Sequence, residues 1–182
     1  MMLLAASLYW TAAVQGYPGD LAVGRACRPI PEVAPVVRAL NAYWDDSVRL
    51  CETRDPDESA AASPDDGIVH ANRLWLASIV RDYGTPAAIG ILAHEWTHVV
   101  QRSRPGRLAE LQADCVAGAF LFRAGYGKAA LEGFALLTLH SGDEGPGRGT
   151  HGSGYERRAA VLRGYYDVDH PDPWHVLSAC RP

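Results

Sequence analysis

The sequence predicts a single domain, mainly α within the α+β class, with little strand. Three observations carry this. Apolar periodicity or capping signals mark helices in five segments between residues 35 and 166, whereas one short run alone reads as strand. The chain of 182 residues is long enough for one core and short for two. Residues 17–182 are therefore read as one domain, preceded by an apolar segment over residues 1–16.

That first segment raises the question of export. Residues 3–14 read LLAASLYWTAAV, too short to span a bilayer but suited to the apolar region of a signal peptide. Val14, Gln15 and Gly16 offer a cleavage site before Tyr17, although no Lys or Arg precedes the run. The reading favours a secreted or periplasmic protein; the alternative is a buried first helix in a cytoplasmic one. The four cysteines form no CxxC pair, so neither a zinc knuckle nor a thioredoxin-type site is indicated. Their even number fits two disulfides, with three connectivities open. A formal net charge of -4 gives no basic surface for nucleic acid, and no membrane span is expected in the domain.

Residues 35–51 predict an amphipathic helix with Val36, Val37, Leu40, Trp44, Val48 and Cys51 on one face. Residues 52–66, acidic and punctuated by proline, predict a loop. Residues 68–72 predict a short strand, and residues 74–80 suit strand or helix equally. Thr85 and Pro86 then open a helix that carries AAIGILAHEWTHVVQ and stops at Arg104-Pro105-Gly106. A second helix is expected over residues 108–124, closed by Gly125, and a third over residues 128–140. The glycine-rich residues 142–154 predict a loop. The sequence Ser153-Gly154-Tyr155-Glu156 is a capping box that opens a last long helix through Tyr166.

The chemistry lies in two one-turn spacings. His94-Glu95-Trp96-Thr97-His98 is an HExxH motif, which would arise in about 1% of shuffled chains of this composition. Four residues make about one helical turn, so both imidazoles project from one face and can share a metal ion. Glu95 is placed to take a proton from a water on that ion. The longer pattern HExxHxxGxxH is not met, because Gln101 and Arg104 occupy its last two positions.

Glu110 and Asp114 repeat the spacing on the next helix. If the turn centres between Arg104 and Pro105, His98 and Glu110 stand about six residues either side of it. In an antiparallel pair they lie level, with His94 and Asp114 level one turn deeper. Glu110 is thus the expected third ligand, and Asp114 the acceptor for an outer imidazole N–H. The alternative exchanges them and makes Asp114 the ligand. His151, on the glycine-rich loop, and Tyr155 are candidates to stabilise an oxyanion.

With these residues in place the sequence resembles the bacterial neutral zinc metallopeptidases. The likeness rests on AHEWTHVVQ (residues 93–101), ELQADCVAG (110–118) and THGSGYERR (150–158), with Thr97 standing where that family usually has glycine. It implies a zincin-like fold with a small edge sheet, Zn2+ on His94, His98 and Glu110, and Glu95 as base. It also makes Cys115–Cys180 the first expectation for a disulfide.

The expected function is hydrolysis of a peptide or protein substrate. Residues 68–72 would supply an edge strand along which an extended substrate pairs. The rival readings are a non-catalytic zinc-binding domain and a zinc hydrolase of non-peptide amides. The intact Glu95 speaks against the first, since a structural site needs no base.

Overall fold

The computed structural model describes residues 27–53, 59–101, 106–143 and 151–182. The apolar segment over residues 1–16 lies outside them. Among the described residues stand seven α-helices and a three-stranded sheet, a mainly helical α+β architecture. No described helix is long and apolar enough to cross a membrane.

Helix α1 (Ala34–Trp44) buries Val36, Leu40 and Trp44 on one face, as its periodicity predicts. It stops seven residues earlier than expected. Asp45 adopts the left-handed conformation (φ 51°), which Asp tolerates better than most residues. Beyond it Val48 is buried outside the helix, and Cys51 belongs to strand β1 (Arg49–Glu52). The stretch expected to be all loop contains a second strand, β2 (Ala60–Ser63), while residues 54–58 lie outside the described ones. Strand β3 (Ile68–Ala71) occupies the predicted place.

The order in the sheet is β1-β3-β2, with β1 parallel and β2 antiparallel to β3. The expectation that residues 68–72 form an edge is therefore corrected. Strand β3 has neighbours on both sides, and β1 and β2 are the edges. Asn72 is not in the strand but caps helix α2 (Arg73–Tyr83), accepting from the backbone N–H groups of Leu74 and Trp75. That settles the ambiguous residues 74–80 as helix.

Helix α3 (Thr85–Gln101) is buried along most of its length, with Leu92 and Trp96 shut from solvent. Trp96 donates its indole N–H to Asn41 Oδ1, and Asn41 donates to the Val48 carbonyl, so α3 is tied to the end of α1. Helix α4 (Arg107–Arg123) ends two residues before Gly125, and α5 (Lys128–His140) matches its expected bounds. The capping box at Ser153 and Glu156 is present and opens α6 (Gly154–Asp167).

The sequence reading missed helix α7 (Pro173–Ala179). Asp172, which accepts from Trp174 N–H, followed by Pro173 at the first turn, was the available signal.

Helix α4 packs between α3 and α6, and two glycines bring it close to α6. A Cβ on Gly118 would stand 2.1 Å from the Val161 carbonyl oxygen, and one on Gly164 would stand 1.8 Å from that of Cys115. Both disulfides form. Cys27–Cys51 ties the start of the described chain to β1, and Cys115–Cys180 ties α4 to the residue after α7.

Candidate metal centre

Helices α3 and α4 bring three of the expected residues to one point. His94 Nε2 lies 3.0 Å from His98 Nε2. The carboxylate of Glu110 reaches both, with Oε2 3.2 Å from His94 Nε2 and Oε1 3.3 Å from His98 Nε2. Ligands held at ~2.0–2.1 Å around a tetrahedral ion stand about 3.3–3.4 Å apart, so these separations suit a single small cation. His94, His98 and Glu110 lie close enough together to hold a metal ion.

Asp114 takes a different place. It is fully buried, with Oδ1 2.9 Å from His94 Nδ1, on the side of the ring away from His98. The approach is at ion-pair distance without the alignment of a linear hydrogen bond. Both Asp114 oxygens accept from Arg157, at 2.8 and 2.9 Å. Its carboxylate is thus committed behind the histidine, and Glu110 is the carboxylate beside both Nε2 atoms. The sequence pattern assigns Arg157 no role, because it lies 43 residues after Asp114 and no local spacing links the two.

The charges around these buried groups, more than burial, set their protonation. Burial alone would lower the pKa of His94, but Asp114, Glu110 and Glu95 outweigh it and hold the imidazole up at about 10. Burial would raise the carboxyl of Glu110, yet His94 and His98 hold it far below the usual range. Asp114 follows the same pattern, raised by burial and lowered further by His94 and Arg157.

The centre opens on a cleft of about 1030 Å³. Glu95 lines it beside His94, His98 and Glu110. Ala60, Ala61 and Ala62 of β2 contribute one part of the wall, and Trp75, Ile91, Phe134 and Leu137 an apolar part. The neighbouring Thr97 is buried and turns its hydroxyl back to the Ala93 carbonyl, so it takes no part in the cleft.

His151 also lines the cleft. Its backbone N–H donates to Asp143 Oδ2, and its Nδ1 lies 3.8 Å from Asp143 Oδ1. Tyr155 is not brought in. It sits in the first turn of α6 with 81% of its surface exposed.

The chain matches no family model, no curated protein and no solved structure.

Proposed function

We propose that this chain is a zinc metallopeptidase of zincin type, akin to the bacterial neutral zinc metallopeptidases. The observation that carries the reading is the convergence of two imidazole Nε2 atoms and the Glu110 carboxylate within 3.3 Å, at a cleft that Glu95 also lines. Two histidines and one glutamate, with the fourth side open, are the donor set of a catalytic zinc site; structural sites are closed by four protein ligands.

Zinc held there would supply Lewis acidity, polarising a substrate carbonyl and acidifying water. Every other part falls to the chain. Glu95 takes the proton as water attacks the peptide carbonyl and delivers it to the departing amine, so atoms and charge balance over the cycle. Asp114, held by Arg157, keeps the His94 ring turned with Nε2 toward His98 and Glu110, where it would meet a bound ion. Strand β2, with its outer edge beside the cleft, offers backbone groups to an extended peptide. The apolar wall around Ile91, Phe134 and Leu137 excludes water from the bond under attack. His151, which lines the cleft, is the proposed donor to the oxyanion, and the exposed Tyr155 has no part in this scheme. The two disulfides support an exported protein, since such bonds persist in oxidising compartments.

The test is digestion of a peptide library by the zinc-loaded protein, with and without chelator, beside Glu95→Gln. Cleavage is expected from the wild type, abolished by chelator and restored by zinc. The variant should retain zinc and leave the library intact. Peptides untouched by the zinc-loaded wild type would overturn the peptidase reading in favour of a binding domain or another amide substrate. Undiminished cleavage by Glu95→Gln would remove Glu95 from its role.

A further inference from the structure

The outer nitrogen of His98 faces a chain of side-chain amides. His98 Nδ1 lies 3.0 Å from Oε1 of Gln101, the last residue of α3. Gln101 Nε2 donates to the Ala109 carbonyl at 3.1 Å and to Gln112 Oε1 at 2.9 Å, both on α4. Gln112 Nε2 donates in turn to the Leu177 carbonyl of α7 at 2.5 Å.

The direction of every bond in this chain follows from its far end. A backbone carbonyl can only accept, so Gln112 must present its NH2 to Leu177 and its oxygen to Gln101. Gln101 must then turn its NH2 toward Gln112 and Ala109, two acceptors that agree with each other. That leaves its oxygen for His98. An amide oxygen cannot donate, so the hydrogen of that contact belongs to His98 Nδ1. The lone pair of the neutral ring is left on Nε2, the atom aimed at His94 and Glu110.

We infer that Gln101 and Gln112 are positioning residues that lock His98 in the Nδ1–H tautomer, with the direction of the lock set by the Leu177 carbonyl. The inference rests on the metal-centre reading above and assigns a purpose to two glutamines and to α7. Helix α7 is held against α4 by the bridge from Cys115 to Cys180, which keeps the terminal carbonyl in place. The two histidines are therefore supported differently. His94 leans on a charged carboxylate backed by an arginine, His98 on a neutral amide that adds orientation without charge.

The test combines imidazole 1H–15N correlation spectra with zinc affinity from competition against a chromophoric chelator. In the wild type, metal-free and zinc-loaded, His98 is expected as the Nδ1–H tautomer. Gln101→Leu removes the acceptor and should weaken zinc by about 10–100-fold. Gln101→Glu keeps an acceptor toward His98 while losing the donors to α4, and should bind zinc within a few-fold of wild type. Gln112→Leu leaves Gln101 anchored on Ala109 and should cost less than Gln101→Leu.

Finding His98 with its hydrogen on Nε2 in the metal-free protein would overturn the inference. So would wild-type affinity in Gln101→Leu, or an equal loss in Gln101→Leu and Gln101→Glu, which would mark a merely structural glutamine. A wild type that binds no zinc would instead overturn the metal reading, while the metal-free spectrum still decides the tautomer.

Discussion

Arg157 holds both oxygens of Asp114, at 2.8 and 2.9 Å, with Asp114 fully buried beneath it. A carboxylate removed from water is tolerated only when its charge is answered nearby. The pairing lets Asp114 stay ionised against His94 in a part of the core where α4 and α6 nearly touch through Gly118 and Gly164. Arg157→Met leaves that charge unanswered on one side. Its unfolding free energy in urea should fall by about 3–5 kcal/mol. Removing both partners, as Arg157→Met with Asp114→Leu, should recover much of the loss. A single variant as stable as wild type would show that the pair has no structural weight.

Glu110 and Asp114 are expected to separate cleanly in metal affinity. Glu110 reaches both Nε2 atoms, so Glu110→Ala removes a donor from the centre itself. Asp114→Asn alters the back of His94 and the pairing with Arg157 but no donor facing the centre, and should weaken zinc by about 10–100-fold, less than Glu110→Ala. Zinc titration against a competing chelator reads both. The reverse order would transfer the ligand role to Asp114.

The same cluster sets a pH dependence. In the metal-free protein His94 is held up at about 10, against 6.5 for an ordinary histidine. Its proton therefore contributes stability that is fully present below pH 6.5 and is lost as pH rises through the folded value. Zinc needs the electron pair that this proton occupies. Each ion bound near pH 7 should release about one proton, and apparent affinity should rise about tenfold per pH unit between pH 6 and 8. Calorimetry in buffers of different ionisation enthalpy measures the release. A pH-independent affinity with no proton released would show that His94 is already neutral.

These relationships were legible in the sequence to unequal degrees. His94, Glu95 and His98 declare themselves by spacing, and Glu110 and Asp114 repeat that spacing one turn either way on the next helix. Local geometry carries this information, because 3.6 residues per turn fixes which side chains share a face. Arg157 belongs to α6 and meets Asp114 only through tertiary packing, so no local pattern announces it. Gln101 stands three residues after His98 on the same helix, a spacing the sequence shows, but its bonds to α4 and that of Gln112 to α7 cross between helices.

The sheet shows the same division. Strand β3 was visible in Ile68 to Ala71, whereas β2 was hidden in an alanine-rich run between acidic residues and exists through pairing with β3. Val48 and Cys51 fit the apolar face of a longer first helix, but Asp45 turns the chain out of that helix and toward a strand.

The two disulfides should differ in weight. Cys115 and Cys180 are separated by 65 residues, Cys27 and Cys51 by 24. Loop-closure entropy gives about 4 kcal/mol for the longer bridge and about 3 kcal/mol for the shorter. Urea unfolding of the two paired Cys→Ala variants should rank them in that order. A larger loss from the shorter bridge would mean that the unfolded chain does not govern their contribution.

The most direct measurement is zinc K-edge absorption on protein incubated with zinc and freed of excess. The proposed centre predicts an equimolar ion bound by nitrogen and oxygen at ~2.0–2.1 Å, with the outer-shell scattering of two imidazoles and no sulfur. Protein that emerges without zinc, or with zinc bound through sulfur, would contradict it.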